Sequence, residues 1–425
     1  MSEAVSRECD AVVPPSSLFV FWPGDEPPLA EEIRYRLLEW GQVAKDEDNA
    51  NAEETLWSFW LELADRPASC FVWCEAVTGA HLRMLDGVRW RSKEQESAAK
   101  QCRWMVGIEG AISLKEPVAD YLNQLRLCES ISRDWAPVIY DASSFRFRTP
   151  EDVRHLLASR TLPRTSCLFT VHKVADPRTR SEESLHWLHT HGLERAGIPD
   201  LEMFNVPARL IPAACELLEA VAELWLEFGT PEPQTPFAIG NDLEIAWRPW
   251  QVVVAESAND LVGGWRYRNS DLGHAGYRAV LVGPGVSGWI RKRWIPPLVL
   301  LERMTATETT LYKTSPESRR MAKLARERWG SFGLLFASQR PQNWRFAVKL
   351  GYPMTTDPQH LEHLWYDVVA IQPGKILGKL LSTPACTESQ SLGQTEWHPL
   401  DRLSDWRIVT PDGVFDPESA ESLLE

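Results

Sequence analysis

The clearest periodic pattern in the chain predicts a long amphipathic helix over Arg209–Phe228. Its apolar side chains recur at steps of three and four residues, the spacing that places side chains on one face of an α-helix. These residues are Leu217, Leu218, Val221, Leu224, Trp225 and Phe228. Glutamates occupy the opposite face, and Gly229 is the residue type that most often ends a helix. We therefore expect the apolar stripe to be buried.

Shorter apolar runs predict strands that alternate with helices along the chain. Predicted strands cover 17–22, 56–63, 69–77, 104–108, 137–140, 167–174, 185–191, 201–206, 345–350, 364–371 and 376–381. Further predicted helices cover 30–40, 93–100, 117–132, a segment capped by Thr149, and 314–329. This order predicts an α/β (α+β) protein. A large N-terminal mixed α/β unit would be followed by a small C-terminal α+β unit, with one helix on an antiparallel sheet.

Composition divides the chain into four segments. Residues 1–16 form a polar tail, 17–256 the N-terminal α/β region, 257–300 a glycine-rich connecting segment, and 301–425 the C-terminal α+β domain. At about 150 residues per domain, 425 residues are enough for two or three domains. The glycine-rich stretch has the composition of a long loop and is the predicted boundary. The acidic stretch 45–54 is predicted to be a solvated loop.

The charge of the chain argues against two classes of partner. Forty-five basic and 59 acidic residues leave a net charge of −14, which opposes non-specific binding to nucleic acid or to an anionic membrane. The start has no signal-peptide pattern, and no apolar run reaches the roughly 18 residues of a membrane helix. We therefore expect a cytoplasmic protein that binds neither membrane nor nucleic acid, with its eight cysteines as reduced thiols.

Histidines supply the one candidate site. On the predicted strand 185–191, His189 and His191 point to the same face about 6.6 Å apart, so that both imidazoles can reach one ion. The following strand offers Glu202 or Asp200 as the oxygen ligand that a zinc site needs. Two alternatives remain open. The histidines can be hydrogen-bonded residues that fix the turn at Gly192, or they can act in acid/base chemistry.

Other motifs for catalysis or cofactor binding do not support a function. The run 283–288 has the glycine spacing of a dinucleotide site, but Pro296 and Pro297 end any following helix too soon. No nucleophile elbow or phosphate-binding loop is present. The sequence therefore predicts no catalytic residue, and no cofactor other than a divalent metal at His189, His191 and Glu202.

Two residue patterns resemble known bacterial families. Trp187–Leu193 with Pro199–Glu202 is similar to the family of unknown function 4026, and the resemblance spans about 17–256. That family usually has Glu at the position of Asp200. A C-terminal pattern, over about 314–425, resembles the bacterial domain of unknown function 2314. Its matching residues are Ala322, Ala325, Trp329, Phe346–Lys349, Glu362–Trp365, Gly374–Leu380 and Asp405–Trp406.

The two families are commonly joined in this order, and the resemblance implies a bacterial cytoplasmic setting without bringing an activity or a catalytic residue. Together with the missing catalytic motifs, it favours a non-enzymatic protein-binding or regulatory module. Another protein is the expected partner, and immunity or stress response the expected context. The alternative hypothesis is a metal-dependent enzyme that uses His189 and His191.

Overall fold

The protein consists of two compact units. Unit 1 comprises Met1–Ser159 and Pro163–Tyr312, and unit 2 comprises Arg160–Leu162 and Lys313–Glu425. The structure is a computed structural model that describes residues 13–47, 55–64, 68–85, 90, 92–133, 136–178, 184–240, 243–257, 261–268, 274, 276–287, 292–306, 311, 315–338, 343–354, 361–384, 391–419 and 423. Helices and sheets rich in antiparallel pairs confirm the predicted α+β class.

Unit 1 begins with an antiparallel sheet. Its strands in the described part of the chain are β1 (Ser16–Trp22), β2 (Gly41–Glu47), β3 (Thr55–Leu63), β4 (Ser69–Ala76), β5 (Trp104–Gly110), β6 (Ile139–Asp141) and β7 (Arg146–Arg148), in the spatial order β2-β3-β4-β5-β1-β6-β7. The accompanying helices are α1 (Ala30–Leu37), α2 (Gly79–Leu85), α3 (Lys93–Gln101), α4 (Pro117–Ser132) and α5 (Pro150–Ala158). Thr149 caps α5 as predicted, because its hydroxyl accepts a hydrogen bond from the amide of Asp152 at 2.9 Å.

A second, mixed sheet completes unit 1. Its described strands are β8 (Thr170–Ala175), β9 (Leu185–His191), β10 (Asp200–Pro207), β11 (Phe237–Gly240), β12 (Leu243–Pro249), β13 (Arg278–Ser287) and β14 (Lys292–Ile295). The order is β11-β12-β13-β10-β9-β8, with β14 beside β13. Strands β10 and β13 are parallel, whereas β8, β9 and β10 pair antiparallel. The helices of this part are α6 (Ile211–Phe228), α7 (Trp250–Glu256) and α8 (Pro297–Ala306).

Helix α6 buries most of the stripe that its periodicity predicted. Leu217, Leu218, Val221 and Trp225 are buried in the core of unit 1. Phe228, the last residue of the helix, is 70 % exposed. The buried stripe therefore ends about one turn before the helix does.

The predicted connecting segment 257–300 differs most from the structure. It lies within unit 1, and β13 runs through the middle of the second sheet, between β10 and β12. The apolar run Ala279–Val282 explains the difference, because all four side chains are buried. Gly283 belongs to the same strand, where a Cβ atom would meet the side chain of Ile295. Of the predicted acidic loop 45–54, residues 45–47 belong to β2, and 48–54 lie outside the described residues.

Unit 2 contains the predicted antiparallel sheet. Its described strands are β15 (Arg345–Pro353), β16 (Leu361–Gln372), β17 (Lys375–Leu380), β18 (Thr395–Pro399), β19 (Leu403–Thr410) and β20 (Gly413–Phe415), in the order β18-β17-β16-β15-β19-β20. The predicted helix 314–329 corresponds to α9 (Ser315–Glu327), and a second helix that was not predicted, α10 (Trp329–Ala337), follows it. They are separated at Arg328, whose φ of −96° and ψ of 12° leave the helical region. Within the described residues, no helix has the length and apolar content needed to cross a membrane.

A buried ion pair links the two sheets of unit 1. Asp141 ends β6, and Arg195 lies in the short 3₁₀ helix Glu194–Ala196 between β9 and β10. Each side chain is 1 % exposed, and both guanidinium Nη atoms donate to the carboxylate at 2.9 Å. The hydroxyl of Tyr121 donates to the same carboxylate at 2.8 Å. Burial alone would raise the pKa of Asp141, but the Arg195 charge and these hydrogen bonds hold it below its ordinary value.

We expect Arg195→Met to lower the free energy of unfolding by about 3–5 kcal/mol, because it leaves the buried carboxylate of Asp141 without its counter-charge. The matched control is Arg209→Met, which removes an exposed pair with Glu302 and should cost less than about 1 kcal/mol. Urea titrations of both variants measure the difference. Equal losses in the two variants would contradict a special role for the buried pair.

Candidate metal centre

The register of two strands places a cluster of histidines on one face of the second sheet. His172 of β8 lies directly opposite His189 of β9. His191 follows two residues later on β9 and therefore points the same way. Each of the three side chains offers a ring nitrogen, and these atoms all lie within 4.8 Å of one another. The sequence prediction of paired histidines at 189 and 191 thus gains His172 as a third neighbour.

A fourth histidine, His274, reaches the cluster from the segment that precedes β13. Its Nε2 atom is 3.3 Å from Nε2 of His191, and its ring centroid is 4.9 Å from that of His189. His189, His191 and His274 are 1 %, 4 % and 6 % exposed, and His172 is half-buried. Four imidazoles therefore share one nearly water-free space.

Aromatic side chains surround the cluster. The ring of Trp187 stacks on that of His189 with centroids 3.8 Å apart, and Phe145 meets His191 edge-on at 4.6 Å. The guanidinium of Arg268 lies 4.7 Å from the Trp187 ring and 4.0 Å from the Trp250 ring, within the range of a cation–π contact. These tryptophans hold a histidine and an arginine in place.

Hydrogen bonding differs sharply between His191 and His189. Arg278 Nη2 lies 3.2 Å from Nδ1 of His191, and since an arginine can only donate, that nitrogen accepts and the proton is on Nε2. His189 has no such neighbour, because neither of its ring nitrogens has a hydrogen-bond partner among the described residues. A buried polar group without a partner costs about 1–3 kcal/mol. His189 is therefore the side chain that most needs a ligand.

The predicted oxygen ligand, Glu202, is held by arginines. It lies opposite His189 on the neighbouring strand, but Arg268 donates to its two oxygens at 2.6 and 2.7 Å. Arg278 Nη1 lies 3.4 Å from one of them and Nη2 3.6 Å from Asp200. All four side chains are buried. Because two arginines face two carboxylates, the positive and negative charges offset each other. Glu202 thus lies beside His189 on β10, while His172 lies beside it on β8.

The turn at Gly192 directly follows His191, the last residue of β9. Gly192 has φ of +112°, a conformation that favours glycine, and a Cβ atom there would collide with the Leu168 carbonyl oxygen. The side chain of Asp200 accepts a hydrogen bond from the amide of Leu193 at 3.2 Å and from the hydroxyl of Thr190 at 2.8 Å. The turn is thus held by glycine geometry and by Asp200.

Burial keeps the histidines uncharged. It is the largest cause that lowers the pKa of His172, His189, His191 and His274, and the charge of Arg278 lowers each of them further. The pKa of His274 falls to about 4. A neutral imidazole has one nitrogen lone pair that can bind a metal, so at pH 7 these side chains are in the protonation state that binds zinc, copper, nickel or iron.

Comparisons with known families agree with the resemblance found in the sequence. Residues 171–282 match the family described as Protein of unknown function (DUF4026) C-terminal, and residues 319–415 match that described as Uncharacterized protein conserved in bacteria (DUF2314). The first match begins later and ends later than the span 17–256 taken from the sequence, and it contains all four histidines. No curated protein and no solved structure matches the chain.

The depressed histidine pKa values predict an acid-sensitive fold. Below pH 6.5 the unfolded chain takes up protons that the folded cluster does not, so the free energy of unfolding falls as the pH falls. Each histidine that stays neutral contributes about 1.4 kcal/mol per pH unit well below that value. With chelator present, we expect the free energy of unfolding of His189→Gln to fall less steeply than that of the wild type between pH 6.5 and pH 5. The difference in slope should equal the contribution of one histidine. Identical slopes in variant and wild type would contradict a neutral buried His189.

Proposed function

We propose that unit 1 binds a divalent transition-metal ion, with zinc as the best fit, through His172, His189 and His191. The observation that carries the proposal is His189, a nearly fully buried imidazole whose two nitrogens have no hydrogen-bond partner among the described residues. It lies beside two other imidazoles whose ring nitrogens are within 4.8 Å. A bound ion supplies the missing interaction for His189.

Coordination requires a small contraction of the cluster. Zinc binds imidazole nitrogen at about 2.0–2.1 Å in tetrahedral geometry, which places ligand atoms about 3.3 Å apart. The Nε2 atoms of His191 and His274 already have that separation. Rotation of the half-buried His172 ring is the simplest way for the third nitrogen to approach. His274 then supplies the fourth ligand.

Arg278 competes with the metal for His191. It hydrogen-bonds Nδ1 of His191, so a metal that binds this nitrogen displaces the arginine directly. A metal that binds Nε2 moves the proton to Nδ1, where two donors would then face each other. In both cases Arg278 moves off His191, and the carboxylates of Asp200 and Glu202, 3.6 and 3.4 Å away, receive it. Metal binding would thus rearrange a buried charge network.

Burial favours a structural or regulatory ion over a catalytic one. A catalytic zinc keeps one position open for water and substrate, whereas four imidazoles close the tetrahedron. Three of these four side chains are at most 6 % exposed. We therefore infer a metal-responsive regulatory module, in keeping with the non-enzymatic role expected from the sequence. Recognition of another protein stays a prediction.

The test compares the thermal unfolding of the wild type and of the His172→Gln variant. Each protein is measured once in the presence of chelator and once in the presence of zinc. Zinc at about 100 times its dissociation constant stabilises a binding protein by about 2.7 kcal/mol. We expect this gain in the wild type and its loss in the variant. With chelator, the two proteins should agree within about 1 kcal/mol, because His172 is only half-buried.

His155→Gln is the matched control, since His155 is an exposed histidine of α5. It should retain the full effect of zinc. An equal effect of zinc on all three proteins would place the ion elsewhere, and no effect on the wild type would refute the site. A loss of stability in His172→Gln that is the same with chelator and zinc would support the hydrogen-bonded alternative.

A further inference from the structure

The six-stranded sheet of unit 2 has a covered face and an open face. Helices α9 and α10 pack on the covered face, where Ala325 and Phe332 share a core with Phe346 and Val348 of β15. Because side chains alternate along a strand, the residues between these core positions lie on the other side of the sheet. That side is the open face, and it carries the exposed side chains of the strands.

All five lysines and arginines in the strands of this sheet lie on the open face. They are Arg345 and Lys349 of β15, Lys375 and Lys379 of β17, and Arg407 of β19. Arg407 pairs with Ala347, and Asp367 pairs with both Ala347 and Lys379, so these residues share one side. Lys349 is half-buried, and the other four cations are exposed.

The carboxylates of the same strands do not cancel this charge. The register places Glu362 and Glu396 on the covered face and leaves Asp367 and Asp405 on the open face. Neither of these two is exposed, and Asp405 accepts a hydrogen bond from the amide of Trp406 at 2.8 Å. Every exposed charge on the strands is therefore positive, although the whole chain carries −14. Such a surface is complementary to an acidic partner.

Apolar side chains alternate with the cations on the open face. On β17, Leu377 lies between Lys375 and Lys379, and it pairs with Trp397 of β18, which is 41 % exposed. A partner that matches this pattern carries apolar side chains as well as carboxylates. Protein segments have both kinds of side chain, whereas the anionic groups of a nucleic acid come with bases that need aromatic rings for stacking.

The central aromatic ring of the open face is already in contact with cations. The guanidinium of Arg407 lies 4.8 Å from the centroid of Trp365, and the ammonium of Lys349 lies 5.7 Å from it. Both distances are in the range of a cation–π contact. A nucleic-acid base would have to displace these cations in order to stack on Trp365. This arrangement favours a protein partner over a single-stranded nucleic acid.

The cations are too far apart to converge on one small anion. Lys375 and Lys379 are four residues apart on one strand, which is about 13 Å at 3.3 Å per residue. Two strands separate Arg407 from Lys379, so these side chains start about 14 Å apart at 4.8 Å between strands. An extended segment of about five residues spans either distance.

We propose that the open face of unit 2 binds an extended acidic segment of another protein, in which acidic and apolar residues alternate. Carboxylates of the segment pair with Lys375, Lys379 and Arg407, and its apolar side chains pack on Leu377 and Trp397. Complementary charge over a distance longer than one small anion carries the proposal. The proposal concerns unit 2 alone and does not depend on metal binding by unit 1.

Fluorescence anisotropy on the full chain, at low salt and with chelator present, tests the proposal with labelled probes. One peptide of about ten residues alternates Glu and Leu, which places its carboxylates on one side of a strand. A second peptide alternates Lys and Leu, and an oligouridine has the same net charge as the first peptide. We expect the wild type to bind the Glu–Leu peptide at least about tenfold more tightly than either other probe. Binding should weaken as salt is added.

The double variant Lys379→Gln/Arg407→Gln should weaken binding of the Glu–Leu peptide about fivefold or more, because it removes two exposed charges of the face. Lys93→Gln/Arg319→Gln is the matched control. It removes the same two residue types from exposed positions of α3 and α9, outside the open face, and should bind as the wild type does.

Four results would overturn the proposal. They are equal losses in the two double variants, oligouridine binding as tight as that of the Glu–Leu peptide, no binding of this peptide at about 1 mM, and a dimer of the chain that only Lys379→Gln/Arg407→Gln dissociates. The last result, seen by sedimentation, would assign the face to a second copy. Should a variant fail to fold, the three probes on the wild type decide.

Discussion

The buried guanidinium of Arg278 is the interaction on which the candidate site depends. It is 1 % exposed, donates to the Thr190 carbonyl at 3.0 Å, and lies between Asp200, Glu202 and His191. A charge in this position is costly without partners, and the two carboxylates supply its counter-charges. The same charge helps to keep the histidines neutral. One side chain therefore adds to the effect of burial on the protonation of the cluster and competes for one of its nitrogens.

The sequence was sufficient to find part of this site. His189 and His191 are two residues apart on one strand, and a period of two places them on one face without any knowledge of the fold. To predict that His172 joins them, the pairing register of β8 with β9 must be known. His274 was missed because it precedes a strand that was predicted to be a loop. Glu202 forms an ion pair with Arg268. The sequence pattern cannot show this contact, because it depends on how the chain folds.

Fold predictions were reliable where one local signal was strong. The stripe of α6, the cap at Thr149 and the strand β9 needed only neighbouring residues. They were unreliable where tertiary pairing outweighed composition. Strand β13 contains the glycines at 283 and 285, which are typical of loops, yet its apolar half is buried between β10 and β12. Helix α10, which follows Arg328, was likewise not predicted.

The proposed metal centre is tested most directly by X-ray absorption at the zinc edge, on untagged full-length protein loaded with one equivalent of zinc. A site made of His172, His189, His191 and His274 predicts a shell of nitrogen at about 2.0–2.1 Å with the scattering pattern of several imidazole rings. His189→Gln should lose one imidazole or fail to bind. A shell of oxygen without imidazole scattering, or a wild type that does not retain the ion, would contradict the account.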